Sequence, residues 1–184
     1  MFIQLNNRAI LKISGNDAES FLQSQLSNDI LKLDTSSIQL SAYCQHQGKI
    51  LSLFWVLRQE EGFYLSFPKD VLDLIKSRLQ MFVMMSDVNI ENISDSYCQI
   101  GVIDEIAPNA FRINKKLSVL IESNNYHSDS TNYENFHWTK ACIDSFLPEV
   151  VLSTSEKFVP QMLNLDIDEL GVNFSKGCYP GQEV

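Results

Sequence analysis

The chain has 184 residues, 45% of them hydrophobic, and a mean hydropathy of -0.08, the make-up of a globular protein with ample material for a core. With 14 basic and 23 acidic residues the formal charge is -9, which repels phosphate backbones and argues against direct nucleic-acid binding. No apolar run reaches the length of a membrane span and Met1–Arg8 is no secretory leader, so a cytoplasmic protein with no membrane partner is expected.

In chain order, Arg8–Ile13 alternates as a strand with Ala9, Leu11 and Ile13 on one face. Asn16 and Glu19 read as a capping box opening a helix over Asp17–Leu26. Ile38–Cys44 and Lys49–Leu57 are predicted strands around the polar turn Gln45–Lys49, and Gln59–Gly62 closes a hairpin onto Phe63–Phe67. Pro68 opens a second helix with Val71, Leu72, Ile75, Leu79 and Phe82 as its buried stripe. Asp87–Ile93 and Tyr97–Ile103 read as antiparallel strands, and Phe111–Asn114 and Leu117–Glu122 as short ones. The stretch Asn124–Asn132 is a predicted loop, and Tyr133–Ser145 a helix with Phe136, Ala141 and Cys142 turned inward. The fold class is α+β, with part of a ferredoxin-like arrangement in the middle.

The run KGCYPGQE, Lys176–Glu183, carries the sharpest chemistry. It sets a thiol, Cys178, between Gly177 and Gly181, with the ammonium of Lys176 two residues upstream. Proline suits the first position of a helix, so Tyr179–Glu183 reads as a turn entering one. A thiol beside a helix N-terminus and a cation gains thiolate character. The bland alternative is that Cys178 is a small buried hydrophobe, as free cysteines usually are. Cys44, Cys98, Cys142 and Cys178 form no CxxC pair and do not cluster with His46, His127 or His137, so neither metal site nor disulfide framework is expected.

Four segments taken in order, FLQSQLSNDI (Phe21–Ile30), AYCQHQGKI (Ala42–Ile50), FVPQMLNL (Phe158–Leu165) and KGCYPGQE, resemble the YgfZ-type folate-binding proteins, relatives of the glycine-cleavage T-protein. The resemblance implies a T-protein-like fold in which residues 1–48 and 130–184 form a split α+β folate-binding domain around a partial ferredoxin-like subdomain over 49–125. Relatives usually continue into a C-terminal barrel; this chain shows none, so an exposed barrel-facing surface and self-association are expected.

The same resemblance implies tetrahydrofolate, or a folate derivative, as cofactor. Trp138 takes an aromatic position lining the folate site, unless it is a core residue of its helix. Asp144 takes the place of an acid that reads the pterin's N–H edge, or is a solvated acid near a helix end. Arg8 stacks on the ligand or pairs with its tail carboxylates, or is a surface arginine. Gln161 and Asn164 either satisfy backbone groups of a loop or face the cavity. Cys178 and Lys176 carry the expected chemistry. The implied role is that of an accessory protein supporting iron–sulfur enzymes or their assembly factors, including enzymes that modify tRNA. The alternative is an aminomethyltransferase of the T-protein type. It is disfavoured because Ile50–Leu53, after Gly48-Lys49, lacks the carboxylate that would assist proton transfer.

Overall fold

The computed structural model describes residues 1–84, 86–105, 107–124 and 132–183. Of the expected loop over 124–132, residues 125–131 lie outside these. The strands are β1 (Phe2–Gln4), β2 (Arg8–Ser14), β3 (Ile38–Cys44), β4 (Ile50–Gln59), β5 (Gly62–Pro68), β6 (Asn89–Asn92), β7 (Tyr97–Ile103), β8 (Phe111–Arg112) and β9 (Leu117–Ser123). The helices are α1 (Ala18–Gln25), α2 (Leu72–Gln80) and α3 (Asn132–Asp144). A five-stranded antiparallel sheet runs β3-β4-β5-β2-β6, and a four-stranded one β1-β7-β9-β8. The turn between β3 and β4 straddles the expected division at 48/49, and the two strands pair from Ile38↔Leu57 to Cys44↔Ile50. Among the described residues no helix is long and apolar enough to cross a membrane.

The central strand β4 shows why this sheet has two buried faces. Its residues alternate, so Phe54 and Val56 join Phe21, Leu22 and Leu26 of the α1 region and Ile75 and Leu79 of α2 in one core. Leu53, Trp55 and Leu57 point the other way, into a second core shared with Val119, Trp138 and Leu165. Each fully buried aliphatic side chain contributes about 1.5–3 kcal/mol. Between the pairs Tyr43↔Ser52 and Cys44↔Ile50 the register shifts, leaving Leu51 unpaired as a β-bulge at the end of the hairpin.

Four local expectations are corrected. The capping box does not form: Asn16 Nδ2 donates to Asp87 at 2.7 Å, Asp17 accepts from the Asp87 backbone at 2.8 Å, and Glu19 pairs with Arg58. The loop before β6 thus captures the polar side chains that would have capped α1. Phe82 lies beyond the end of α2 and is exposed. Phe136 is exposed too, because it sits two residues (about 200°) from the inward Trp138 on α3. Finally, Pro180 is not the first position of a helix: Pro180–Glu183 is a turn in which Gly181 has φ +84, outside right-handed helical space.

Candidate ligand cleft and thiol loop

The terminal motif is tied to the body by three of its members. Lys176 is buried, and its Nζ donates to the carbonyl oxygens of Gln23, at 2.6 Å, and Leu26, at the C-terminal end of α1. A cation there meets carbonyls that have no helical partner, and the favourable end of the helix dipole. Burial pulls this ammonium down to about 8, with Asp29 acting in the opposite direction. Tyr179 packs against the second core, where burial foremost and neighbouring Cys44 raise its phenol to about 12. Gly181 abuts the β3–β4 turn: a Cβ there would lie 2.4 Å from the Gln45 oxygen and 2.6 Å from Gly48 Cα. Cys178 itself is exposed, and a Cβ on neighbouring Gly177 would meet nothing within 4 Å. The thiol therefore sits in open space on a loop pinned on both sides.

The other half of the site is built around the end of α3. Its last turn closes with Phe146 N–H donating to Ile143 O and Leu147 N–H to Cys142 O, both at 3.0 Å. This paired pattern, with Phe146 at φ +55, is the Schellman ending of a helix. It leaves Leu147 where three hollows meet. One, of about 640 Å³, lies between Ile143–Pro148 and the segment Asn164–Leu170. The second, of about 270 Å³, is flanked by Asn28, Gln39, Trp55 and Leu147. The third, of about 200 Å³, is lined by Arg8, Trp55, Trp138, Cys142, Leu147 and Glu149.

The third hollow holds a buried cation stacked on one indole, with a second indole against the first. The Arg8 guanidinium lies 3.6 Å above the Trp55 ring centre, and Trp138 meets Trp55 edge-on at 6.0 Å and 72°. Arg8 donates to Ser66 Oγ and Ser66 O, each at 2.9 Å, and to Glu149 at 2.7 Å. Burial lowers the guanidinium to about 10 while Glu149 opposes the shift, so it stays cationic at neutral pH. The Cys142 thiol beside it is raised to about 11 by burial, so it is neutral there. Trp138 is held by Gly101 of β7, where a Cβ would come within 2.5 Å of the indole.

The structure brings Arg8 and Trp138 together and puts Asn164 on the wall of the neighbouring large hollow. It separates the others. Asp144 is exposed, pairs with Lys140 and faces a depression with Asp104 and Lys116, because six residues on a helix turn it about 120° from Trp138. Gln161 is exposed and lines none of the three hollows, and neither do Cys178 and Lys176. Sequence reasoning passed over Gln39, Trp55, Gly101 and Glu149. Only Gly101 carried a signal, since a lone glycine inside a strand marks a close approach. Ser27 and Asn28 of the first motif act as a junction: Ser27 Oγ donates to Gly171 O and accepts from Ala42 N–H, and Asn28 Nδ2 donates to Leu40 O at 2.9 Å.

A reduced folate needs aromatic walls, acceptors for its N–H groups and a cation for its tail. The cleft has the first two, and its cation, Arg8, is paired with Ser66 and Glu149. Gln39 Oε1 is buried without a hydrogen-bond partner among the described residues, while its Nε2 is fixed to Asp29 O at 2.7 Å.

The GCVT N-terminal domain family matches residues 3–141. An uncharacterised protein of Haemophilus influenzae is 33% identical over 189 residues, covering 100% of this chain and 66% of its own length. The tRNA-modifying protein YgfZ of Photobacterium profundum is 25% identical over 215 residues, covering 99% of this chain and 64% of its own. The chain thus spans just under two thirds of these relatives. Among solved structures, the glycine cleavage system aminomethyltransferase T of Bartonella henselae aligns with 54% of this chain and 27% of its own, at 15% identity and a TM-score of 0.49, a likeness too slight to decide anything. Matched over most of its length, and aligned with YgfZ proteins almost end to end, the chain belongs to the GCVT N-terminal domain family as an α+β, T-protein-like protein of the YgfZ type.

Proposed function

We propose that the chain binds a reduced folate, tetrahydrofolate or a derivative, in the cleft that converges on Leu147. The observation carrying this reading is a buried guanidinium stacked on Trp55 beside Trp138, with the Gln39 oxygen, which has no hydrogen-bond partner among the described residues, on the adjoining wall. Trp55 and Trp138 would hold the ligand's aromatic linker, Gln39 would accept a linker N–H, and Arg8 would meet a tail carboxylate in place of Glu149. Bound tetrahydrofolate supplies one-carbon or reducing chemistry; the chain's own residues bind it, orient it and keep water from its rings. Quenching of tryptophan emission by tetrahydrofolate tests the reading. Saturable quenching that falls in both Trp55→Phe and Trp138→Phe supports it, and no saturation at near-millimolar ligand rejects it.

The YgfZ relatives are named as tRNA-modifying proteins, and the wider role proposed for this chain is support of tRNA modification. That it does so as an accessory to iron–sulfur enzymes or their assembly factors extends the reading beyond those names. The exposed Cys178 thiol would meet such a partner, since it is presented on a pinned loop facing solvent. Its test is complementation of a strain lacking the gene, scored by modified tRNA nucleosides. Cys178→Ser should fail while the purified variant keeps its fold; full complementation would remove the thiol from the account. Self-association through exposed apolar residues belongs to the same proposal, and sedimentation measures it.

A further inference from the structure

Phe146 occupies the position after a helix end where the backbone must turn left-handed. Glycine is the usual residue there, and a bulky side chain at φ +55 is strained. Burial does not offset that strain, since Phe146 is 82% exposed. Its ring stands on the rim of the 640 Å³ hollow, whose other walls include Ile143, Leu147, Ile167 and Leu170. Two more left-handed residues line the same hollow, Asn164 at φ +56 and Asp168 at φ +52. Those two types tolerate that backbone; phenylalanine does not. Strain kept without a packing return points to a use for the side chain.

We propose that Phe146 is a ligand-contacting residue whose ring stacks on the flat pterin ring of the folate, seated in the hollow beneath it. This rests on the folate reading above and specifies which end of the ligand occupies which hollow. The volume suits a small ligand with room for an aromatic bicycle. Among the described residues lining it Asp168 is the one charged group, and a carboxylate accepts the paired N–H groups of an aminopyrimidine edge. Ile143, Leu147 and Pro148 also border the Arg8 hollow, so the rest of the molecule continues past Leu147 toward the guanidinium.

The test separates strain from function by their opposite signs. Binding of 6-methyltetrahydropterin, a ring without a tail, is titrated by calorimetry against wild type, Phe146→Gly, Phe146→Asn and Phe146→Tyr, alongside tetrahydrofolate and thermal melts. Phe146→Gly should melt about 2–4 °C higher, because left-handed backbone suits glycine. It and Phe146→Asn should bind the ring about tenfold more weakly, the loss expected of one aromatic stack, while Phe146→Tyr keeps wild-type affinity. Wild-type affinity in Phe146→Gly, with tetrahydrofolate still binding, overturns the stacking role alone. Tetrahydrofolate binding to none of the proteins overturns the folate reading and this inference with it.

Discussion

The loop Lys176–Glu183 and the turn Ile143–Glu149 both pack on the second core, yet they use their polar and strained residues in opposite ways. In the first, the buried ammonium of Lys176 satisfies two helix carbonyls, and the left-handed Gly181 fits against Gly48 with no room for a side chain. In the second, the left-handed residue is an exposed phenylalanine, and Glu149 holds a guanidinium that faces a cavity. Where strain and charge are fully used by the fold, the residues hold the structure together. Where strain is left over, as at exposed Phe146, the side chain is available to a ligand, and the Arg8 guanidinium would have to exchange Glu149 for one.

This contrast can be broken or sharpened by mutation, beginning with the largest effect. Lys176→Met strands the carbonyls of Gln23 and Leu26 and should lower stability by about 3 kcal/mol in urea denaturation. Its pH signature follows from the depressed ammonium. Between about 8 and the ordinary 10.5 the unfolded chain binds more protons than the folded one, so stability rises with pH by up to about 1.4 kcal/mol per unit. Cys44 and Tyr179, both raised to about 12, have the reverse slope above their ordinary values of 9 and 10. The difference between wild type and Lys176→Met isolates the lysine, and a flat difference across pH 8–10 would contradict its burial as a cation.

Gly181→Ala should cost about 2 kcal/mol, from the φ of +84 and the contact with the Gln45 carbonyl. Gly101→Ala should displace the Trp138 indole, visible as a changed near-ultraviolet dichroism and weaker folate binding. Gly177→Ala should change stability by no more than about 0.5 kcal/mol, since its side chain enters empty space. Weaker folate binding in Gly181→Ala or Gly177→Ala at unchanged stability would erase the distinction between the two loops.

The strand pattern, both sheet-covering helices and the family were readable because period-2 and period-3.6 alternation and short motifs are local properties. The site was only partly so. Arg8 and Trp138 are 130 residues apart in sequence, and it is the second core that brings them together. Asp144 illustrates the limit: spacing along a helix fixes its angle from Trp138, but an aligned acid does not reveal that its carboxylate turns to Lys140. Phe146 could not be singled out, because its meaning lies in a backbone angle and an exposure that no residue pattern encodes.

The most direct measurement of the central claim is nitrogen-15 NMR of the indole N–H groups during titration with tetrahydrofolate. The chain has two tryptophans, Trp55 and Trp138, and they meet at the cleft. Both indole peaks are predicted to move together along one saturable curve. Saturable shifts confined to backbone peaks around Lys115 and Lys116, with both indoles fixed, would place the ligand elsewhere and contradict the account.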